Sequence, residues 1–266
     1  NYDMAASDYN KALEINPREA EAYNGLGNIH DDNGRYEMAI MQYSKAIEIN
    51  PVNAVFYTNR GSTYEKIGQY DLSISDCDKA IEIDPNYPDA YNSRGYTHYM
   101  KGDYAQAVLD YSKAIEFDPT FFYAYRNRGD AYRNMHEYDL AISDYSKAIE
   151  IDPKNIGGYL DRAIVYEIKE QFEQALLDCD KAIEINPYSA SAFSRRAGVY
   201  HRKFDLEKAV ADYTKALEID PTYVLAYLNR GNIYKLMKEY DNALADINKA
   251  IDLDQKSSYA YFSRGD

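Results

Sequence analysis

Arginines inside an otherwise apolar helical pattern are the first residues of this sequence that could do chemistry. In the segment AYRNRGDAYRNM, Tyr125, Arg128 and Tyr132 recur at the spacing of one helix face. A guanidinium on such a face costs several kcal/mol unless it is paired and hydrogen-bonded. Arg128 is therefore either an anchor for an anionic ligand or one half of an ion pair within the fold.

Other residue types that perform catalysis or bind metals do not form a recognisable site. The four histidines are scattered, and the two cysteines, Cys77 and Cys179, make neither a disulfide framework nor a pair at metal-ligand spacing. No HExxH, GxSxG or phosphate-cradling sequence occurs, and the GLG of NGLGN lies within a helical pattern rather than after a strand. The sequence predicts a protein with no catalytic residues, no metal and no cofactor.

The composition makes several classes of partner unlikely to fit. The chain has 266 residues, of which 45% are hydrophobic, and a net charge of −14. Nucleic acids and anionic membranes select for clusters of Lys and Arg, so basic or amphipathic protein segments are the expected partners instead. No run of about 18 apolar residues occurs, so we expect no membrane insertion. The chain begins at Asn1, so targeting signals cannot be read; a cytoplasmic location is favoured.

A period of 34 residues runs through the whole chain. Proline recurs at this interval after variants of KAIEIDP, and Gln255 takes the next slot. Self-similarity at a fixed period is the signature of repeat architectures, and no insertion interrupts it to make room for a separate globular domain. The prolines are Pro17, Pro51, Pro85, Pro119, Pro153, Pro187 and Pro221.

Each period contains two helical stretches. In the repeat at 88–121 the stretches run over about 89–100 and about 104–116, with apolar residues every three or four positions. Asp118 and Pro119 end the second stretch, because proline cannot continue a helix and restricts the residue before it. One such pair cannot bury its apolar face alone, so we expect neighbouring pairs to stack.

This helix–turn–helix unit resembles the tetratricopeptide repeat (TPR) family. With Ala20 as position 1, position 4 holds Tyr or Phe, position 8 Gly or Ala, position 20 Ala in all repeats but one, and position 27 always Ala. The resemblance implies an all-α solenoid, a right-handed superhelix whose concave groove is lined by first helices and holds a partner. We expect a single TPR domain over 1–266, with partial repeats at 1–19 and 258–266 and full repeats at 20–53, 54–87, 88–121, 122–155, 156–189, 190–223 and 224–257.

The repeat pattern also supplies a partner for each arginine. Position 7 is Arg in six full repeats and position 23 is Asp in the same six, whereas the first repeat has Leu26 and Gln42. We therefore predict that each arginine pairs with the aspartate of its own second helix, which makes these arginines structural. The predicted pairs are Arg60 with Asp76, Arg94 with Asp110, Arg128 with Asp144, Arg162 with Asp178, Arg196 with Asp212, and Arg230 with Asp246.

The candidate binding surface is what remains once the structural positions are set aside. Of 30 tyrosines, 23 fall at positions 4, 11, 17 and 24, where large residues pack between helices. In the TPR family positions 2, 5, 9, 12 and 13 face the groove, and exposed aromatics with arginine there are typical of interface centres. The alternative is ordinary variation on a solvated surface. The predicted partner-binding residues are Tyr96, Tyr99, Met100, Tyr123, Arg126, Asp130, Arg133, Leu160, Ile164 and Ile168.

We predict a non-catalytic protein–protein interaction scaffold that binds a peptide or helical segment of mixed charge in this groove. Acidic residues at groove positions precede the aromatic ones in the chain, and basic residues follow them, so complementary charge would set the direction of the ligand. The family's carboxylate clamp for chaperone tails is incomplete here, because Asp89 and Ser93 stand where it needs Lys and Arg.

Two alternatives stay open from the sequence. The first is a substrate-recruiting TPR arm of a larger enzyme such as a glycosyltransferase, although the position-6 asparagine ladder of O-linked N-acetylglucosamine transferases is broken here. The second is head-to-tail self-assembly through the terminal helices, with Arg264 of one copy facing Asp8 of the next.

Overall fold

The computed structural model describes residues 2–265, which form α-helices joined by short turns and no strand. The helices occur in pairs, as the all-α repeat class predicted from the sequence requires; even-numbered helices are first helices and odd-numbered ones second helices. They are α1 (Tyr2–Ile15), α2 (Ala20–Asp32), α3 (Tyr36–Ile49), α4 (Ala54–Lys66), α5 (Tyr70–Ile83), α6 (Pro88–Met100), α7 (Tyr104–Phe117), α8 (Phe122–Asn134), α9 (Tyr138–Ile151), α10 (Ile156–Ile168), α11 (Phe172–Ile185), α12 (Ala190–Arg202), α13 (Leu206–Ile219), α14 (Val224–Leu236), α15 (Tyr240–Leu253) and α16 (Ser258–Gly265).

The helices pack into two compact units, an N-terminal unit that ends at Glu137 and a C-terminal unit that begins at Tyr138. Within each unit, helices that follow one another in the sequence pack together. In the N-terminal unit the first helices α2, α4, α6 and α8 also contact one another in turn, so they line one face of that unit.

Helix ends follow from local sequence. Helix α6 begins at Pro88, one residue earlier than the sequence predicts, because proline is well tolerated in the first turn of a helix. Helix α7 ends at Phe117; the Asp118 amide then bonds to the Ala114 carbonyl at 2.9 Å, and the Asp118 carboxylate accepts the Thr120 amide at 2.8 Å. This side chain–backbone turn and the proline that follows Asp118 stop the helix.

Small residues let the two helices of a pair approach closely. Ala107 and Ala114 on α7 have no exposed surface. A Cβ atom added to Gly95 on α6 would lie 2.9 Å from the Tyr111 ring, closer than packing permits. The close approach of the helices therefore requires the small residues that the sequence keeps at these positions.

The turn between first and second helices passes through the left-handed region at position 15. Glycine supplies this conformation at Gly34, Gly68 and Gly102, where φ is +70 to +82°. Left-handed backbone costs a residue with a Cβ about 1–2 kcal/mol. The later repeats nevertheless place other residues there at φ of 58–64°, namely His136, Glu170, Phe204 and Lys238.

The arginines at position 7 pair with the aspartates of their own second helices, as predicted. In the last full repeat, Arg230 donates from Nε and Nη2 to the two carboxylate oxygens of Asp246, both at 2.7 Å. The same two-bond fork joins Arg60 to Asp76, Arg94 to Asp110, Arg162 to Asp178, and Arg196 to Asp212. Arg128 and Asp144 belong to different units, and their pairing stays a prediction.

Each of these arginines also reaches the second helix of the preceding repeat, which the sequence analysis did not foresee. The remaining Nη1 of Arg230 donates to Thr214 at position 25 of that repeat, 2.8 Å away. Arg128 makes the same bond to Ser112 at 2.9 Å. A single guanidinium thus links three helices. The other position-25 acceptors are Ser44, Asp78, Ser146, Asp180 and, for Arg264, Asn248.

The two carboxylates that share Arg196 offer a matched test of this arrangement. Asp212→Ala should lower the free energy of unfolding by about 3–5 kcal/mol, because it leaves a largely buried guanidinium without its fork. Asp180→Ala should cost about 0–1 kcal/mol, since its side chain is 53% exposed. Urea denaturation of both variants measures the difference, and equal losses would contradict a structural role for the fork.

The strained turn gives a second stability prediction. Phe204 is 81% exposed at φ +59°, so it loses little contact when shortened. Phe204→Gly should raise the free energy of unfolding by about 0.5–1 kcal/mol by relieving the left-handed strain. Gly102 occupies position 15 of another repeat and has open space around it. Gly102→Ala should lower the free energy of unfolding by a similar amount. Both values come from denaturant titration, and a stability loss in Phe204→Gly would count against the strain.

Candidate functional site

The predicted residues of the N-terminal unit lie on two neighbouring first helices. Helix α6 carries Tyr96, Tyr99 and Met100, and α8 carries Tyr123 and its three charged companions Arg126, Asp130 and Arg133. Tyr96, Met100 and Tyr123 are 40%, 44% and 55% exposed. Since α6 and α8 are in contact, these side chains form one surface.

Tyr96 and Tyr123 border a common cavity of about 250 Å³. The side chains around it are mostly polar, and they come from three successive first helices, α4, α6 and α8. The other lining residues are Ser62, Glu65, Lys66, Asn92, Ser93 and Asn127. The cavity thus has two aromatic borders, one acidic group, one basic group and several amide and hydroxyl groups.

The aromatic residues of α6 support one another. The Tyr96 and Tyr99 rings stack with centroids 6.2 Å apart, and Tyr99 contacts Tyr104 at 5.4 Å. The Tyr99 hydroxyl accepts a hydrogen bond of 2.7 Å from Asn134. Tyr99 therefore supports Tyr96 by ring stacking but does not itself line the cavity.

The charged residues of α8 lie beside the aromatic cluster. Arg133 pairs with Asp130 at 2.9 Å. Burial first, and then the nearby carboxylate of Glu65, raise the pKa of Tyr96; Asp130 adds to this effect and Arg126 opposes it. Tyr96 consequently lies within the electrostatic reach of all three charged groups, although neither Arg126 nor Asp130 lines the cavity.

Glu65 is the acidic group of the cavity, and burial raises its pKa against the opposing effect of Lys66. Lys66 itself binds Asp31 on the preceding first helix. Within the part of the chain that the structure describes, Glu65 has no ion-pair or hydrogen-bond partner for its carboxylate. The cavity therefore contains a partly desolvated carboxylate whose neighbouring cation, Lys66, is paired with Asp31.

Repeats one and three use the same polar network with one difference. In repeat one the Tyr43 hydroxyl donates to Asn28 at 2.7 Å, and Asn59 of the next repeat donates to Asn24 at 2.9 Å and to Asn28 at 3.3 Å. In repeat three Asn127 donates to the equivalent Asn92 at 3.1 Å. The counterpart of Tyr43 is Tyr111.

In repeat three Tyr96 occupies the position that Asn28 holds in repeat one, so the Tyr111 hydroxyl lacks the acceptor that Tyr43 has. The Tyr111 side chain is completely buried, and its hydroxyl has no hydrogen-bond partner among residues 2–265. Burial is also the main reason that the pKa of Tyr111 is raised. An unpaired buried hydroxyl costs about 1–3 kcal/mol, so Tyr96 is kept at the expense of stability.

The predicted residues of the C-terminal unit lie on α10. Leu160 and Ile164 line a cavity of about 470 Å³ together with basic residues of α12, whereas Ile168 is 40% exposed and lies outside it. Gly198 on α12 keeps this cavity open, since a Cβ there would meet only the Tyr213 hydroxyl at 3.8 Å.

Charged groups of the larger cavity are partly paired with one another. Arg195 lies 3.7 Å from the Glu167 carboxylate, and Arg202 donates to the Glu167 backbone carbonyl at 2.9 Å. Arg202 also stacks over the Phe172 ring at 5.6 Å. The cavity combines an aliphatic wall with two arginines that both lie near Glu167, and Arg202 is also 3.7 Å from the Glu170 carboxylate.

Sequence reasoning found the aromatic borders but missed their polar companions Asn92 and Asn127. A signal for them exists, because position 5 of one repeat and position 6 of the next both hold Asn in two places, 35 residues apart. These are the two residue pairs that hydrogen-bond in the structure, Asn24 with Asn59 and Asn92 with Asn127.

Both cysteines are buried free thiols, and burial raises the pKa of Cys77 and of Cys179 to about 12. Over residues 2–265, no group of three or more His, Cys, Asp or Glu side chains could hold a metal ion. None of the described helices is both long and apolar enough to cross a membrane.

Comparison with protein-family models finds tetratricopeptide repeats along the chain. A model described as tetratricopeptide repeat matches half of the residues, at 20–53, 54–87, 122–155 and 224–257. One described as TPR repeat matches 1–34, 96–136 and 205–238, and another tetratricopeptide repeat model matches 77–108 and 145–176. Among curated protein sequences, none matches this chain.

Solved structures share the fold. A chain of the APC/C hetero-tetramer Cut9–Hcn1 aligns over 99% of this chain at 14% identity and a TM-score of 0.72, and this chain spans 52% of its length. Yeast Tom70 aligns over 99% at 20% identity and a TM-score of 0.74, with 58% of its own length covered. YrrB, described as a TPR protein with an unusual peptide-binding site, aligns over 71% of this chain and 97% of its own at 24% identity and a TM-score of 0.52.

The two equivalent tyrosines give a prediction about the unpaired hydroxyl. Tyr43→Phe should lower the free energy of unfolding by about 1 kcal/mol, because Asn28 loses its donor. Tyr111→Phe should leave stability unchanged or raise it by up to about 1 kcal/mol, since the hydroxyl that it removes has no partner. Urea titration of both variants measures the contrast. A clear loss in Tyr111→Phe would show that this hydroxyl is bonded.

Proposed function

We propose that this chain, which belongs to the tetratricopeptide repeat family, is a non-catalytic scaffold. It binds another protein through the face lined by its first helices. TPR proteins are in general interaction scaffolds. The ligand is a peptide or helical segment with apolar and charged anchors.

The observation that carries this proposal is the exposed aromatic surface of α6 and α8. Large residues at other tyrosine positions of the repeat pack between helices, whereas Tyr96 and Tyr123 border an open cavity. Exposed apolar groups in a contiguous patch mark interaction sites, and tyrosine is enriched among the residues that dominate binding energy. The position-7 arginines are engaged by acceptors within the fold, which leaves this surface available to a ligand.

We assign the anchoring of the ligand to the residues predicted from the sequence. In the N-terminal unit Tyr96, Met100 and Tyr123 supply apolar contact, and Tyr99 holds Tyr96 in place. In the C-terminal unit Leu160 and Ile164 supply an aliphatic wall beside the two arginines. The remaining proposed contacts are Arg126, Asp130, Arg133 and Ile168. The printed description of YrrB as peptide-binding agrees with a peptide ligand.

Selection of peptides tests this function. A phage-displayed library of random 16-residue peptides is panned on the whole chain, and enriched peptides are synthesised with a fluorescent label. Tyr123→Ala should weaken their binding by about tenfold or more, as for an interface hot spot. Fluorescence anisotropy measures the dissociation constants.

Tyr188→Ala is the matched control, because Tyr188 is also exposed, at 82%, but lies in a loop between a second and a first helix. Its binding should equal that of the parent chain. Peptides that bind Tyr123→Ala and Leu160→Ala as tightly as the parent would contradict a site on the first helices, as would failure to enrich any peptide.

A further inference from the structure

We propose that the cavity between Tyr96 and Tyr123 receives a lysine or arginine side chain of the bound partner, with Glu65 as its counter-ion. This inference rests on the proposed function and specifies one anchor of the ligand. The occupant is a basic side chain of a protein or peptide.

The charge of the cavity favours a cation. Glu65 is partly buried and has no direct partner within the described part of the chain. Lys66 is already bound to Asp31, and Arg126 has an interaction of its own and does not line the cavity. An incoming ammonium or guanidinium would therefore find the Glu65 carboxylate without a direct ion pair, in a site where low exposure strengthens the attraction.

The chain itself shows how this set of groups binds a guanidinium. Arg60 lies over the rings of Tyr57 and Tyr64, each 5.8 Å from its centroid, and is paired with Asp76. Two tyrosine rings and a carboxylate, together with the Ser44 hydroxyl, thus hold a cation in this protein. The cavity also presents two tyrosines and a carboxylate, and its own lysine, Lys66, is bound to Asp31.

The size of the cavity selects a side chain. At about 250 Å³ it is smaller than the roughly 300–1,000 Å³ of pockets that enclose drug-sized molecules. Asn92 and Asn127 add amide oxygens at its border, and these can accept hydrogen bonds from an ammonium or guanidinium.

The presence of Tyr96 points to function rather than to the fold. Repeat one shows that asparagine at this position completes the hydrogen-bond network, whereas Tyr96 leaves the Tyr111 hydroxyl unpaired. Departures from the local rules of a fold concentrate at functional sites. Tyr96 supplies an aromatic surface, but the Tyr111 hydroxyl loses the hydrogen bond that asparagine would accept at this position.

The experiment uses the selected 16-residue peptides and, for each, versions in which one Lys or Arg is replaced by norleucine. Glu65→Gln should weaken the binding of the basic peptides about tenfold. It should leave unchanged the binding of the version in which norleucine replaces the Lys or Arg that enters the cavity. Glu37→Gln, which removes the same charge from an exposed place on a second helix, should change neither. Anisotropy titrations give the dissociation constants of both peptide versions for the parent and the two variants.

Tyr96→Asn provides a second variant that keeps the fold, because it restores the network of repeat one. It should unfold at the temperature of the parent or at a higher one, because the Tyr111 hydroxyl regains a partner, and still bind basic peptides about tenfold less tightly. Selected peptides without Lys or Arg, or equal affinity for Glu65→Gln and the parent, would overturn the cation pocket. If Tyr123→Ala still weakens those peptides, the groove proposal stands; if it does not, both proposals fail.

Discussion

The fold depends on the guanidinium at position 7, present in every full repeat but the first, which must find partners on both sides. Arg60 reaches Ser44, 16 residues before it, and Asp76, 16 residues after it. Both partners lie on second helices, and Arg60 itself lies on the first helix between them. One inserted residue on either side would displace a partner and leave a largely buried charge uncompensated, at a cost of several kcal/mol. This symmetry explains why the 34-residue register has no insertion over the whole chain.

Fixing the register in this way leaves other positions free to vary. The position-7 arginine, the alanines of the second helix and the tyrosines between helices carry the packing. Positions 2 and 9 on the first helices contribute little to it, and Tyr123 and Asn28 show how different their occupants can be. A repeat can therefore change its surface chemistry while the helices keep their arrangement. The binding properties of such a chain lie in the few residues that depart from the repeat.

The sequence predicts the fold closely because each structural rule recurs many times. The fork between position 7 and position 23 was predictable because Leu26 and Gln42 depart from it together. The hydrogen bond from the arginine to position 25 was not predictable, because that position holds Ser, Asp, Thr or Asn, and these residues share only an acceptor oxygen. The cavity was predictable only in part. Tyr96 and Tyr123 stand out from the repeat, but Glu65 and Asn127 join them only when first helices from different repeats lie side by side.

The comparison of repeats one and three separates structural from functional residues without reference to any other protein. Asn28 and Tyr96 occupy the same repeat position on two first helices, and each is followed by an equivalent buried tyrosine, so the fold places a similar demand on both. Asparagine meets those demands and tyrosine does not, because the Tyr111 hydroxyl remains unpaired. Natural proteins commonly give up stability at sites where another property is selected. The unpaired Tyr111 hydroxyl therefore agrees with the proposal that the exposed Tyr96 ring contacts a bound partner.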